Sequence, residues 1–594
     1  MQGKGRTAKF VSILLCCVLV LALAGCGKTA DSGNKPANTP ATSADNGQGA
    51  GAETTTDESG REMIGNMYVT GLPIVKEPVQ YYAMGLQMNN TRPGNLDETE
   101  LFKKIMEETN VYIEWDLIPQ ASWTETKNLK IASGEYPDFF YGPKSLSQDE
   151  VQKLGADGIL IDLEPLLDKY APNIKKIREE YPLYDGFIRS MDGKIYQLAS
   201  FTDEGFDSHI SSIINKEWLD NLGLEIPTTT DELYTVLKAF KEKDPNRNGK
   251  QDEIPMSFLY QEGNDLNREV KRDFRPIYYA FGVVDTPFYI WINDNDEVVF
   301  TATTEEWKQA TAYMAKLYQE GLIDPEVFTM DRTLLTNKLR SQKNVGVYFD
   351  YRKDLSMLLE EDQGKYTFMP ALKSPSGKQI WARAQSFSEG AFGITKNAKN
   401  PEVLIRFIDY CNSEENSVQM AFGMFKPEGW NQSEALVPSS AEPGKYEVNS
   451  DLRPADVDPT EWPMSAPIAQ GCTLLTRETM EKYVAEKASS VAKSEACAVY
   501  RPYLSKWPYN YAFKFSPEEL EELTLLQTDI VQYVIQTHSR WITQGGIENE
   551  WDAYVAHLKN LGLDRYVELY RAAFERVEKN KPKSESRPAK GTAF

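Results

Sequence analysis

The chain has 594 residues and a formal net charge of −23, with 88 acidic residues against 65 lysines and arginines. So acidic a chain is a poor partner for nucleic acids and for anionic lipid surfaces, because both attract basic proteins. Its length predicts more than one domain.

The first 25 residues have the order of a bacterial signal peptide. A basic start, MQGKGRTAK, precedes an apolar run from Phe10 to Ala24. This run is shorter than the ~20 residues of a membrane-spanning helix. It ends in LAGC, which is similar to the lipobox of bacterial lipoproteins, whose cysteine carries a lipid after cleavage. We therefore expect lipidation of Cys26 and an anchor on the extracellular face of the cell membrane, with a plain signal peptide and an incidental cysteine as the alternative.

Residues 26–75 are expected to form a disordered tether. Between Gly27 and Gly60 the sequence has no Leu, Ile, Val, Met, Phe, Tyr or Trp. Such a segment cannot bury enough apolar surface to offset its loss of conformational entropy. As a flexible coil it would hold the folded part roughly 30 Å from the lipid.

Three of the six cysteines lie in or next to the signal peptide. The other three are Cys411, Cys472 and Cys497, an odd number that allows at most one disulfide within a monomer. Cys472 and Cys497 are the nearest pair in sequence. Two possibilities stay open for them, a disulfide or burial as free thiols.

From residue 78 onward, strand-like and helix-like segments alternate. The segments 78–90 and 111–119 are predicted to be strands, and the amphipathic segment 96–110 between them is predicted to be a helix. A second region of the same kind begins near residue 209, and the chain from residue 516 onward is strongly helical in pattern. This alternation predicts the α/β fold class with parallel strands.

One helix of the second region leads into a candidate calcium loop. Thr229 and Glu232 have the spacing of a capping box and mark the start of this helix. The loop DPNRNGKQDE follows, with oxygen-bearing residues at alternate positions and Gly249 at the sharp turn. Calcium takes six to eight oxygen ligands, so these residues could surround it. The candidate ligands are Asp244, Asn246, Asn248, the Lys250 carbonyl, Asp252 and Glu253.

The loop differs from a calcium-sensing hand at its end. The position at which such a hand has its last glutamate is Pro255, so we expect Glu253 to complete the coordination shell. The segment IPMSF then leaves as a strand, and without a second helix there is no helix pair to open. We therefore expect a structural calcium ion, with a metal-free polar turn as the alternative.

Motifs for nucleophilic or phosphate chemistry are missing from the sequence. It contains neither G-x-S-x-G nor G-x-x-x-x-G-K-[ST]. The three histidines, His209, His538 and His557, have no metal-ligand spacing, and the last two are expected on helix surfaces. Carboxylates are abundant, so a glycosidase pair stays open, because such a pair is diagnosed by its separation in space.

Five sequence blocks, in this order, resemble the family 1 extracellular solute-binding lipoproteins of sugar ABC transporters. They are LAGCG, IASGEYPDFFY (131–141), the block 214–255, AFGITKNAKNPEVLIRFIDYCNSEE (391–415) and EWDAYVAHLKNLGLDRYVELYRAAFER (550–576). The resemblance implies a two-lobed periplasmic-binding-protein-like (type II) α/β fold with a hinge and an interlobe ligand cleft. It implies one lobe at 76–210 plus 371–420 and the other at 211–370 plus 421–580. Alginate-binding members of the family have loops that end like the candidate calcium loop.

The resemblance also implies where a ligand would bind. Sugar rings stack their C–H faces on Trp and Tyr, while their hydroxyls bond to Asp, Asn and Arg. The stretch from about 425 to 515 departs from the family pattern, and MFKPEGW (424–430) is the nearest equivalent of its glycine-rich turn and tryptophan. Candidate contacts in the implied interlobe loops are Trp123, Asp207, Tyr348, Asp350, Tyr351, Trp381, Arg383 and Trp430.

Together these features predict a lipid-anchored binding protein, not an enzyme. It would capture a saccharide, in particular an oligosaccharide, and deliver it to ABC permease subunits. We expect a monomer that contacts the membrane only through its lipid. Two other functions stay open: a surface glycan hydrolase or lyase, and a ligand-sensing receptor for a membrane signalling partner.

Overall fold

The computed structural model describes residues 54–87, 96–202, 208, 210–261, 271–350, 357–384, 387–426, 435–449, 471–485, 497–509 and 511–579. The predicted site residues Cys26, Asp207, Tyr351 and Trp430, together with His209, lie outside these ranges. Within the described ranges, no helix has the length and hydropathy needed to span a lipid bilayer.

The strands are numbered in chain order. They are β1 Thr54–Thr56, β2 Glu62–Ile64, β3 Met67–Tyr68, β4 Val79–Gln87, β5 Val111–Pro119, β6 Phe139–Tyr141, β7 Leu198–Thr202, β8 Ser211–Asn215, β9 Ile254–Met256, β10 Tyr260–Gln261, β11 Lys271–Arg272, β12 Ile290–Ile292, β13 Val298–Phe300, β14 Val345–Asp350, β15 Tyr366–Phe368, β16 Trp381–Arg383, β17 Phe387–Ile394, β18 Ala435–Pro438, β19 Tyr446–Asn449, β20 Leu474–Leu475 and β21 Leu504–Pro508.

The α-helices are numbered in the same way. They are α1 Glu100–Thr109, α2 Gln120–Ser133, α3 Gln148–Ala156, α4 Glu164–Tyr170, α5 Pro172–Glu180, α6 Pro182–Ile188, α7 Lys216–Leu222, α8 Thr230–Glu242, α9 Arg275–Ala280, α10 Glu305–Gln319, α11 Arg332–Asn337, α12 Glu360–Gln363, α13 Pro401–Cys411, α14 Glu414–Phe422, α15 Arg477–Tyr483, α16 Pro517–Gln544, α17 Ile547–Asn560 and α18 Leu563–Lys579.

The larger sheet has six strands in the order β20-β7-β17-β6-β4-β5. Strands β4, β5 and β6 are parallel, as the alternating sequence pattern predicts, and β20 is parallel to β7. Strand β17 is antiparallel to both of its neighbours, β6 and β7. Apolar residues of β4 to β7 and of α1, α4, α5 and α13 form one core on this sheet, and we call the elements around it the first lobe.

The smaller sheet has four strands in the order β15-β8-β14-β9. Strands β9 and β14 are parallel, while β8 is antiparallel to β14 and β15. A separate core covers this sheet with side chains from 210–382 and from 500–574, including the long helix α16. We call the elements around this core the second lobe.

The lobe limits inferred from the sequence stay a prediction, although side-chain packing favours different positions. Ala371, Leu372 and Trp381 pack in the core of the second lobe, whereas the predicted limits assign 371–420 to the first. Leu474 packs in the core of the first lobe, whereas the prediction assigns 421–580 to the second. The packing of Ala382 and Tyr500 in the second lobe and of Phe387 and Leu474 on the first therefore favours crossings between 382 and 387 and between 474 and 500 over the predicted limits at 371 and 421.

Residues 54–75 differ from the tether predicted for 26–75. Strands β1, β2 and β3 form an antiparallel sheet, and Met67, Ile74 and Val75 are buried in the core of the first lobe. Arg406 of α13 donates hydrogen bonds to the carbonyls of Tyr68 and Gly71. The predicted tether is therefore wrong for 54–75, because apolar side chains in this segment find a partner surface on the first lobe.

The cysteines and one histidine also differ from the sequence pattern. Cys411, Cys472 and Cys497 are all buried free thiols, so the open question about Cys472 and Cys497 is answered by free thiols in this structure. His538 is 1% exposed rather than on a helix surface. Its ring nitrogens lie 3.0 Å from the Tyr260 hydroxyl and 2.5 Å from the Tyr278 hydroxyl, so its polar atoms are satisfied inside the core.

Candidate interlobe binding site

The two sheets turn the carboxyl ends of their parallel strands toward the same junction. In the first lobe β7 ends at Thr202, and β8 of the second lobe begins at Ser211, which lies opposite the last residue of β14, Asp350. Strand β17 begins at Phe387, opposite Phe201 near the end of β7. Ligands of open α/β sheets bind at the carboxyl ends of the strands, so the candidate site is the space between these two edges.

The loop 142–147, which follows β6, forms part of the first-lobe side of the junction. Trp123 of α2 contacts this loop. The Trp123 side chain is 4% exposed, and its indole nitrogen donates to the Ser145 carbonyl at 3.0 Å. The Lys127 ammonium donates to the same carbonyl at 3.2 Å and to Glu150 at 2.6 Å. Trp123 therefore fixes the loop 142–147, and its predicted ligand contact stays a prediction.

Glu389 is a polar residue at this edge that the sequence did not single out. A bulge in β17 between Ser388 and Phe392 carries it. The bulge needs Gly390, since a Cβ there would lie 1.9 Å from the Leu146 carbonyl oxygen. Burial raises the pKa of Glu389 to about 7, against the hydrogen bond that its carboxylate accepts from Gln148 N at 3.2 Å. In the sequence, the only hint of Glu389 is the glycine that follows it directly within a strand-like segment.

The edge of the second lobe carries Asp350 at the end of β14. Its carboxylate accepts a hydrogen bond from the Arg332 guanidinium at 3.2 Å, and the Asp350 residue is 9% exposed. Tyr348, two residues earlier, points to the same face of the strand and is fully buried, with its ring edge-on to Tyr366 at 5.6 Å. Asp350 therefore lies nearer to the junction than Tyr348.

Trp381 and Arg383 lie in β16, just before the chain crosses into the first lobe. The Trp381 side chain is 1% exposed, and its indole nitrogen donates to the Ser208 hydroxyl at 2.7 Å. The half-buried Arg383 donates from Nε to the Ser505 carbonyl at 2.9 Å. Strand β16 thus brings both residues to the crossing, with the indole enclosed and the guanidinium more accessible.

The structure brings some of the predicted contacts together and separates others. Asp350, Trp381 and Arg383 belong to the second-lobe side of the junction, and Trp123 lies beneath the first-lobe side. Asp207, Tyr351 and Trp430 lie outside the described residues. Ligand contact stays a prediction for all eight residues.

The candidate calcium loop connects α8 with β9, as the sequence predicts, and the Thr229–Glu232 capping box is formed. The Asp244 carboxylate accepts hydrogen bonds from Asn248 N at 3.0 Å and from Gly249 N at 2.9 Å. The Asp252 carboxylate accepts one from the Asn248 side chain at 2.9 Å. Gly249 has a φ of +76°, which a residue with a side chain rarely adopts. The side-chain oxygens of the loop thus accept hydrogen bonds from its own N–H groups.

Glu253 is the test of whether this loop fits a cation. Both of its carboxylate oxygens are enclosed, and neither has a hydrogen-bond partner. Burial raises the pKa of Glu253, and the nearby Asp244 and Asp252 carboxylates raise it further. A buried carboxylate without a donor is costly unless a cation balances it, which favours a cation beside Glu253. Across the described residues, however, no three His, Cys, Asp or Glu side chains converge as a metal centre, so Asp244, Asp252 and Glu253 are not gathered around one point, and calcium stays a prediction.

Comparison with known proteins decides the family. The family model for the bacterial extracellular solute-binding proteins matches residues 94–418. The chain belongs to this family. This membership confirms the resemblance inferred from the sequence. The protein is therefore a solute-binding protein and not an enzyme.

Two relatives are similar to this solute-binding protein in sequence. It is 31% identical over 499 residues to the fructooligosaccharide ABC transporter substrate-binding protein FusA of Streptococcus pneumoniae, over 82% of this chain and 89% of FusA. It is 27% identical over 337 residues to lipoprotein LipO of Bacillus subtilis, over 54% of this chain and 62% of LipO.

Solved structures confirm the predicted fold. FusA in complex with kestose matches with a TM-score of 0.67 at 27% identity, over 85% of this chain and 100% of that one. An EF-hand mutant of FusA in complex with fructo-nystose matches with the same TM-score, identity and coverage. This solute-binding protein therefore has the two-lobed α/β fold of substrate-binding proteins.

Proposed function

We propose that this protein captures an oligosaccharide between its two lobes and delivers it to the permease subunits of an ABC importer. The observation that carries this proposal is the 31% identity to the fructooligosaccharide-binding FusA along 82% of the chain. The facing strand ends support it, because they bring carboxylates and a guanidinium to the junction where hydroxyl groups could bond to them.

The polar contacts that we propose among the described residues are Asp350 and Arg383, both in the second lobe. Asp207, Tyr351 and Trp430 are further candidates from the sequence. The buried rings of Trp123, Tyr348 and Trp381 are candidates as well, for contact or for supporting the surfaces around the ligand. A ligand that touches both lobes at once favours the closed arrangement, which is a shift of population toward that arrangement.

We further propose a lipid anchor at Cys26 and a calcium ion in the loop 244–253. The lipoprotein relative and the LAGC pattern support the anchor. The orphan carboxylate of Glu253 and the EF-hand named for FusA support the ion. Calcium would supply positive charge among the loop's oxygens. The residues of the chain would then hold the end of α8 against the start of β9.

Isothermal titration tests the function. The panel contains kestose, nystose, other oligosaccharides, their monosaccharides, and peptides as a different solute class. We expect saturable binding of at least one oligosaccharide that exceeds the binding of its monosaccharides. Binding of peptides without any saccharide would contradict the proposal.

A further inference from the structure

A short segment after the last crossing contacts both lobes with alternate side chains. It runs from residue 511 to residue 516, between β21 and α16. Its aromatic rings pack on α18 of the second lobe, with Phe513 and Phe515 lying 4.8 Å and 5.1 Å from the Tyr570 ring. Successive side chains of an extended backbone point to opposite sides, so the Lys514 side chain points to the side opposite the Phe513 and Phe515 rings.

Lys514 enters the first lobe at the end of α6. The residue is 9% exposed, and its ammonium donates hydrogen bonds to the Gly186 carbonyl at 2.6 Å and to the Arg189 carbonyl. Carbonyls at the carboxyl end of a helix lack partners within the helix, and they carry partial negative charge. The ammonium of one lobe thus satisfies backbone acceptors of the other.

Two further contacts hold the same segment. Gln152 of α3, in the first lobe, donates from its side chain to the Phe515 carbonyl. Arg576 of α18 donates to the Lys514 carbonyl at 2.6 Å and forms an ion pair with Glu519 at 2.6 Å. The second lobe therefore fixes the backbone of the segment, while the first lobe binds the side chain of Lys514 and the carbonyl that follows it.

We propose that Lys514 is a positioning residue for ligand capture, which latches the two lobes together and so favours the arrangement that encloses a ligand. This inference rests on the proposed function. As a positioning residue, Lys514 acts without touching the ligand. It acts by lowering the free energy of the lobe arrangement in which its ammonium reaches α6.

Charged groups near Lys514 define how the latch responds to pH. Asp185 of α6 and Arg189, the residue after α6, act on the ammonium, and Arg576 of α18 binds the Lys514 carbonyl and pairs with Glu519 of α16. Burial and, to a lesser extent, the Arg189 charge lower the pKa of Lys514 to about 8, while the Asp185 charge opposes the change. An exposed lysine has a pKa near 10.4. Because the latched state binds the proton less tightly than the open state, latching becomes more favourable as the pH rises above about 8.

The first test compares variants of the full protein by titration with nystose. Lys514→Met removes the amino group, and we expect binding to weaken about tenfold or more, since the two hydrogen bonds to the Gly186 and Arg189 carbonyls are lost. Lys506→Met is the matched control. Lys506 lies in the preceding strand β21, is exposed and pairs with Asp296 within the second lobe, so we expect binding within about twofold of wild type.

The pH dependence gives a readout that a purely structural role would not change. Wild-type affinity should rise up to about tenfold between pH 7 and pH 9, and Lys514→Met should lose this rise. Lys514→Arg should keep the affinity without the rise, because a cavity of about 30 Å³, lined by Lys514, Gly186 and Arg189, gives the slightly larger guanidinium some room. Equal affinity and equal pH dependence in wild type and Lys514→Met would overturn the latch.

Two more measurements keep the proposal open to contradiction. If Lys514→Met fails to fold, Gln152→Ala breaks a lobe-to-lobe contact from the first lobe, and it should weaken binding in the same direction. If wild type binds no saccharide, the proposed function fails. Small-angle scattering without ligand then tests separately whether Lys514 holds the two lobes together. Without ligand, Lys514→Met should have a larger radius of gyration than Lys506→Met, and equal values would overturn the latch.

Discussion

Trp381 and Tyr500 stack face to face, with 3.6 Å between their ring centroids and 8° between their ring planes. The Tyr500 hydroxyl accepts a hydrogen bond from Ser212 N at 3.0 Å and donates one to the Met369 carbonyl at 2.8 Å. This stack joins β16, β8 and the chain that returns from the first lobe. The second lobe is therefore built around two of its crossings.

Tyr500→Phe should destabilise the protein while keeping the stack. The change leaves two buried backbone groups without their partner, and we expect a loss of about 1–3 kcal/mol in the free energy of unfolding. Urea unfolding at constant pH measures it. Tyr503→Phe is the control, because Tyr503 is half-buried on the neighbouring turn; an equal loss in both variants would contradict the role of the hydroxyl.

Calcium should raise the melting temperature of wild type, and a chelator should lower it. Glu253→Gln should remove most of this response, because the orphan carboxylate is the charge that a cation would balance. In chelator alone the variant should melt above wild type, since it no longer buries a carboxylate beside Asp244 and Asp252.

Glu242→Gln provides the control for the calcium experiment. Glu242 is the last residue of α8, and its side chain is 63% exposed. This variant should respond to calcium as wild type does. A wild-type melting curve that is the same in calcium and in chelator would exclude the metal from the loop.

Because Asp409 is buried, the free energy of unfolding should fall as the pH rises from about 4 to 6. Its carboxylate accepts hydrogen bonds from Ile174 N at 3.0 Å and from the Asn173 side chain at 2.9 Å, yet burial raises the pKa of Asp409 to about 6. An unfolded aspartate titrates near 3.9. In this window the folded state binds more protons than the unfolded state, so each pH unit lowers the free energy of unfolding by up to about 1.4 kcal/mol.

The variant Asp409→Asn isolates this effect. Between pH 4 and pH 6, the free energy of unfolding of wild type should fall relative to that of the variant. The exposed Asp157 gives the control variant Asp157→Asn, whose difference from wild type should stay constant. A constant difference for Asp409→Asn as well would show that the buried carboxylate keeps an ordinary pKa.

The three buried cysteines should react only after unfolding. In the protein from residue 54 onward, a thiol reagent should modify almost nothing in the native state, because Cys411, Cys472 and Cys497 are enclosed. In denaturant without a reductant it should modify three thiols. Only one reactive thiol in denaturant would reveal a disulfide that this structure does not have.

The local elements could be read from the sequence because their signals are local. Thr229 and Glu232 predict the start of α8, and β4, α1 and β5 follow the predicted strand–helix–strand order. The segment 400–423 has the apolar periodicity of one continuous helix, but the structure interrupts it between Cys411 and Glu414, where α13 ends and α14 begins. Apolar periodicity continues through such a break, so it does not reveal it.

The site could be read less completely, because partner surfaces are distant in sequence. Trp123 is a residue type that often stacks on sugars, but its indole nitrogen donates a hydrogen bond to the Ser145 carbonyl, 22 residues away in sequence. His538 has a helical position that suggests a surface, but tyrosines from distant segments enclose it. Lys514 breaks an aromatic run, and only the position of α6 explains why a lysine is buried there.

Capture between two lobes is the central claim, and small-angle scattering with and without ligand tests it most directly. The ligand is the oligosaccharide that binds tightest in the titration panel, at a saturating concentration. We predict a smaller radius of gyration in its presence, and no change with a monosaccharide that fails to bind. An unchanged radius of gyration with the oligosaccharide fully bound would contradict capture by closure of the two lobes.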